Sequence, residues 1–167
     1  MNTRRLTRNA LLTGIALIIF TIEAQLPALT PIPGIKLGLS NIVTVYAVFV
    51  LGGKDAAAIL AARVLLGALF SGNISTLMYS GAGGALCWLT MLLIRNILTE
   101  RQIWVASVIG AMAHNLAQIA VAVAVTRTRG LLAYLPILEI SGMLAGLFTG
   151  LCAQALIRHM NRLRMKR

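Results

Sequence analysis

Long apolar runs, separated by short polar turns, limit most strongly what this chain can fold into. Each run has about twenty residues, which at about 1.5 Å per helical residue crosses a hydrocarbon layer of about 30 Å. Apolar residues make up 59% of the sequence and charged residues 11%. Soluble domains have about 45–50% apolar residues and about 25% charged residues. The sequence therefore predicts an all-α integral membrane protein.

A single transmembrane domain with six helices accounts for the whole chain. The predicted spans are about residues 10–29, 37–51, 56–70, 74–94, 103–125 and 131–157, followed by a basic tail, 158–167. Asp55 is predicted to cap the third helix. Gly142, Gly146 and Gly150 recur every four residues on the sixth helix and predict a close helix contact, either within the bundle or with a partner.

The placement of the cations predicts the orientation of the bundle. With six spans, eleven of the 15 Lys and Arg residues fall on the side of the chain ends and three on the other, with Arg63 inside a span. Cytoplasmic segments carry an excess of Lys and Arg. We expect both termini in the cytoplasm and a multi-pass protein of the plasma membrane. The net charge of +11 thus has an explanation other than nucleic-acid binding.

Polar residues gather in the outer half of the predicted bundle, where ionisable side chains by default face the interior. The stretch Pro31–Asn41, between the first two spans, is predicted to form a lid and wall of a substrate site. The candidate ligand-binding residues are Glu23, Lys36, Ser40, Asn41, Arg63, Asn73, His114, Asn115, Gln118 and Glu139.

Two of these features have a structural alternative. Arg63 either forms an ion pair with Glu23 or Glu139, or binds an anionic group of a ligand. His114 and Gln118 share one helical face because they are four residues apart, and this face is either a network between helices or a binding wall.

The sequence has few of the signatures of catalysis. One aspartate and three dispersed glutamates provide no carboxylate cluster for Mg²⁺-diphosphate, and no GxxxxGK[ST] phosphate loop is present. We expect no cofactor, no metal and no enzymatic activity. An intramembrane hydrolase that uses Ser80 and His114 is an alternative.

Several stretches resemble one family, heptaprenyl diphosphate synthase component I, also labelled Gx transporter. The similarity spans nearly the whole chain, with Ala117 where the family often has glycine. The matching stretches are Pro33–Thr44 (PGIKLGLSNIVT), Phe70–Asn73 (FSGN), Tyr79–Gly84 (YSGAGG), Gly110–Gln118 (GAMAHNLAQ) and Tyr134–Pro136 (YLP).

This family resembles the substrate-binding S components of energy-coupling factor (ECF) importers, which are six-helix bundles. The resemblance implies a subunit for uptake of a small molecule, with isoprenoid- or quinone-related ligands as candidates, that works with an ECF coupling subunit and ATPases. The synthase name implies the alternative, a non-catalytic membrane subunit that assists a polyprenyl (heptaprenyl) diphosphate synthase.

Overall fold

The computed structural model describes residues 3–25 and 38–165, with side chains up to residue 163. These residues form six α-helices and no strand. The helices are α1 (Thr3–Glu23), α2 (Asn41–Tyr46, continued by a π-helix, Ala47–Leu51), α3 (Gly53–Ser71), α4 (Ile74–Ile94), α5 (Ile103–Thr126) and α6 (Leu135–Met165), and a 3₁₀-helix, Arg129–Tyr134, precedes α6.

Four segments of the described chain are long and apolar enough to cross a membrane: α1, α4, α5, and the 3₁₀-helix with α6. Much of their surface is apolar. Ile74 and Leu93 on α4 are each 78% exposed, and Leu11 on α1 and Leu144 on α6 are 66% and 65% exposed, which would be costly in water and suits contact with lipid. The all-helical fold is therefore compatible with a membrane protein.

Contacts between helix ends show that successive helices run in opposite directions. Arg5 at the start of α1 bonds Asp55 at the start of α3, and Trp88 near the end of α4 donates to the Gly53 carbonyl. At the same end of the bundle, the Tyr46 hydroxyl contacts the Met160 sulfur at 3.4 Å. The start of α1 and the end of α6 therefore lie at one end of the bundle.

Two helices extend beyond one end of their predicted spans. α1 begins at Thr3 rather than near residue 10, because its polar first turns are anchored to Asp55, and it ends at Glu23 rather than near residue 29. That carboxylate accepts hydrogen bonds from Arg5, Arg8 and Asn9 at 2.6, 3.2 and 2.9 Å. The N-cap of α3 is Gly52 and not Asp55. α6 continues past residue 157 to Met165.

The glycines of α6 form a contact inside the bundle. A Cβ atom at Gly150 would lie 2.7 Å from Trp104 Cα, and one at Gly146 would lie 2.9 Å from Val108 Cα. Both neighbours are backbone atoms of α5. The glycine face predicted from the sequence thus brings α5 and α6 together, and α5–α6 is one of the most extensive helix pairs in the bundle.

Two apolar clusters form the core, at different depths. The larger cluster includes Val48, Cys87, Met91 and Ile103, near the end with the chain termini. The smaller consists of Tyr79, Ile119, Ala122 and Leu138, near the other end. On α4 and α5, the residues between the two clusters include several buried polar side chains.

Candidate functional site

The buried polar side chains between the two clusters surround a small cavity. Its walls come from α1, α3, α4, α5 and the residues before α2, so five parts of the chain meet there. The cavity volume is about 10 Å³, close to the minimum for one water molecule. Its lining consists of Phe20, Glu23, Gly38, Ser40, Arg63, Ser80, His114 and Gln118.

Arg63, on α3, is the cation of this cavity. Its side chain is buried, with 3% of the residue exposed, and Nη1 donates to the Ser40 hydroxyl at 2.7 Å. Nε and Nη2 are buried and have no hydrogen-bond partner among the described residues. A buried donor without a partner costs about 1–3 kcal/mol, and more when it is charged. Such a group requires an explanation beyond packing.

Glu23, the last residue of α1, is the carboxylate of the cavity. It accepts a hydrogen bond from the backbone N–H of Gly38 through Oε1, while Oε2 is buried and accepts no hydrogen bond from the described residues. Negative charge is favourable near the N-terminus of a helix, here α2. Among the described residues Arg63 forms no ion pair within 4.0 Å, so Glu23 and Arg63 share the cavity without touching.

Asn41 and His114 connect α2 to α5 beside the cavity. Asn41 Nδ2 lies 3.3 Å from His114 Nδ1, and both residues are buried. Two glycines leave room for this pair. A Cβ at Gly83 would lie 2.7 Å from His114 Cε1, and one at Gly38 would lie 2.8 Å from Asn41 Nδ2. Gly38 also has a φ of +80°, which other residues seldom adopt.

Gln118 and Asn115 face different neighbours although both are buried on α5. Gln118 lines the cavity one helical turn from His114, and neither the nitrogen nor the oxygen of its side-chain amide has a hydrogen-bond partner in the described part of the chain. Asn115 instead donates to the Leu138 carbonyl of α6, close to Gly142. The face of α5 with His114 and Gln118 thus belongs to the cavity, and Asn115 belongs to the α5–α6 contact.

The remaining predicted site residues are Lys36, Glu139 and Asn73. Lys36, with most of the predicted lid, lies outside the described residues. Glu139 is half-buried on α6 and is not part of the cavity lining. Asn73 is exposed at the start of α4 and accepts a hydrogen bond from the Ser75 N–H at 2.8 Å, as an N-cap residue does.

The position of Asn73 leads to a prediction that separates capping from binding. Asn73→Ala removes the cap and should lower the free energy of unfolding by about 1 kcal/mol, or the melting temperature by about 2–4 °C, without changing ligand retention. Thermal unfolding in detergent measures this. Ser71→Ala is the control, because that exposed hydroxyl only contacts the Ala68 carbonyl of its own helix. A loss of ligand in Asn73→Ala would contradict the assignment.

Ser80 and Phe20 line the cavity but were not among the candidate binding residues. Phe20 lies three residues before Glu23 on α1, and Ser80 lies three residues before Gly83 on α4. Residues three apart share a helical face, so the spacing alone could have placed Phe20 on the same face as Glu23, and Ser80 on the same face as Gly83. The described residues contain no hydrogen bond between Ser80 and His114, the contact that would activate a serine nucleophile.

Within the described residues, no three His, Cys, Asp or Glu side chains are grouped as a metal site would need.

Comparisons with known proteins identify the family. Neither the curated proteins nor the solved structures include a match to the chain. One family model, described as heptaprenyl diphosphate synthase component I, matches residues 12–156. Because the match covers most of the sequence, the chain belongs to the heptaprenyl diphosphate synthase component I family.

Proposed function

We propose that the protein is a membrane-embedded substrate-binding subunit, similar in role to ECF S components, for uptake of a small molecule. The observation that carries this proposal is the buried guanidinium of Arg63, with two unpartnered nitrogens, in a cavity that also contains Glu23, His114 and Gln118. Charged groups inside apolar bundles typically mark the path or site of a substrate.

The proposal includes six membrane crossings with both termini in the cytoplasm of a plasma-membrane protein. α3 has 19 residues, or roughly 28 Å at 1.5 Å per residue, close to the thickness of the hydrocarbon layer. α2 with its π-helix is shorter and would cross together with the residues before it. The cations at the end with the chain termini support a cytoplasmic location for that end.

In this orientation the cavity lies nearer the outer end of the bundle, on the side from which an uptake protein receives its ligand. We propose ligand contacts for Glu23, Ser40, Asn41, Arg63, His114 and Gln118. The cavity volume of about 10 Å³ is far below the 300–1,000 Å³ of typical ligand pockets. Binding therefore requires the helices around it to separate, and the segment before α2 is the proposed moving wall.

The second candidate is a non-catalytic membrane subunit that assists a polyprenyl diphosphate synthase. What favours it is the description of the matched family as a synthase component. In that case we expect a soluble prenyltransferase as the protein partner. For the first candidate we expect an ECF coupling subunit and ATPases as the protein partners. We also expect a small-molecule ligand, which is either related to isoprenoids or quinones or belongs to another class.

One purification tests both candidates. Tagged protein is isolated from its native membrane in mild detergent, and its bound small molecules and partner proteins are identified by mass spectrometry. We expect one small molecule to be enriched in the wild type and in Arg129→Gln, an exposed control, and to fall at least tenfold in Arg63→Gln. A prenyltransferase partner with no enriched small molecule would support the second candidate and contradict the first.

A further inference from the structure

The positions of the unpartnered atoms in the cavity limit the chemical class of the ligand. A guanidinium has two nearly parallel N–H donors along the edge formed by Nε and Nη2, and a carboxylate or phosphate matches this edge with two oxygens. In Arg63 the single hydrogen bond is made by Nη1, to Ser40. The edge suited to two-point binding of an oxyanion is the one without a partner.

From this we infer that the ligand carries a carboxylate or phosphate oxyanion that binds the Nε–Nη2 edge of Arg63, and a hydrogen-bond donor that meets Glu23. This inference rests on the proposed function, because it names the chemical class of the ligand for the same cavity. The two charged groups of the cavity then each receive a complementary group.

Two residues of α4 lie near the guanidinium. Gly84 packs against α3, where a Cβ atom would be 2.7 Å from Leu60 Cδ1 and 3.5 Å from Arg63 Nη2. Ser80, one helical turn earlier on α4, lines the cavity. Its hydroxyl can donate to an oxygen that Arg63 holds.

Glu23 can bind a second group of the ligand. Oε1 accepts a hydrogen bond from the Gly38 N–H, and Oε2 is buried and accepts none from the described residues, so Oε2 is available to a donor on the ligand. An oxyanion alone would leave two negative groups and one positive group in the cavity. A ligand whose donor is an ammonium keeps the sum of charges at zero, which is the less costly state in a medium of low polarity.

Gln118 is another side chain of the cavity lining that has unpartnered atoms. Its side-chain amide has a free donor and a free acceptor, and the residue is 0% exposed. Such an amide can hydrogen-bond to the ligand on either side of the oxyanion. Side chains from α1, α3 and α5 thus have unpartnered atoms around one cavity.

Small probes test the inference on the full-length protein in detergent. The melting temperature is measured at constant pH and ionic strength with acetate, inorganic phosphate, glycine and the neutral isostere acetamide, against chloride. We expect acetate, phosphate or both to raise the melting temperature in a saturable way, and acetamide to have no effect. Glycine, which adds an ammonium group, should act at a lower concentration than acetate. Acetate and phosphate identify which oxyanion the site prefers.

The matched variants are Arg63→Lys and Arg129→Lys. Arg63→Lys keeps the charge but lacks the two-donor edge and should lose the response, whereas Arg129→Lys should keep it. If Arg63→Lys does not fold, Glu23→Gln replaces it. That variant keeps the Nε–Nη2 edge of Arg63 but lacks the carboxylate, so acetate or phosphate should still raise the melting temperature, and glycine should lose its advantage over acetate.

Three results with the wild type would overturn the inference: no response to either oxyanion, an equal response to acetamide, or a weaker effect of glycine than of acetate. An unchanged response in Arg63→Lys would overturn it too, as would an advantage of glycine over acetate that persists in Glu23→Gln. The purification described above separates this failure from failure of the proposed function. A co-purified ligand without an oxyanion refutes the inference alone, and absence of any enriched ligand refutes the function.

Discussion

Gly150→Ala is expected to destabilise the protein by about 2–3 kcal/mol, near the upper end for overpacking in a closely packed interior. The new Cβ would lie 2.7 Å from Trp104 Cα and 3.1 Å from the Trp104 carbonyl oxygen. Because both are backbone atoms of α5, no side-chain rotation relieves the contact. The two helices must separate, and the loss of packing extends along their interface.

Thermal unfolding in detergent measures the effect, with an expected fall of about 2–4 °C in melting temperature for each kcal/mol in a chain of this size. The control is Gly14→Ala, because a Cβ at Gly14 has no atom within 4 Å. There the higher helix propensity of alanine should leave stability equal or slightly higher. Equal losses in both variants would mean that helix geometry, and not the α5–α6 contact, determines the result.

The helices could be predicted where apolar length and turn chemistry coincide. α4 has its predicted ends, 74 and 94, because Asn73 caps it and the uncharged turn before it is short. α1 and α6 exceed their predicted spans because polar turns outside an apolar run can still be helical when other residues bind them, as Asp55 binds Arg5 and Arg8. Hydropathy does not contain that information.

The sequence predicted part of the lining of the cavity and less of its arrangement. The spacing of His114 and Gln118 placed both on one face of α5, and the structure has both in the cavity lining. The contact of Arg63 with Ser40, its separation from Glu139 and the turn of Asn115 toward α6 depend on how the helices rotate against each other. This rotation follows from glycine contacts such as Gly142 beside Asn115, which no local pattern specifies.

Gly83→Ala is expected to displace the His114 ring and to lower both stability and ligand retention. The new Cβ would lie 2.7 Å from Cε1, 2.8 Å from Nδ1 and 3.0 Å from Nε2 of His114. A planar ring cannot bend away, so it must leave its position and its contact with Asn41. We expect a loss of about 1–3 kcal/mol. Gly81→Ala, on the same helix, is the control, since its Cβ meets only Val64 Cγ1 at 3.7 Å.

A double-mutant cycle identifies the cause of this loss. If the clash with the ring is responsible, adding Gly83→Ala to His114→Ala should cost little beyond His114→Ala alone, because no ring remains to be displaced. The coupling free energy from the four melting curves should then be about 1 kcal/mol or more, as for other residues in direct contact. Additive losses, or an equal loss in Gly81→Ala, would show that Gly83 does not provide the space in which His114 reaches Asn41 beside the cavity.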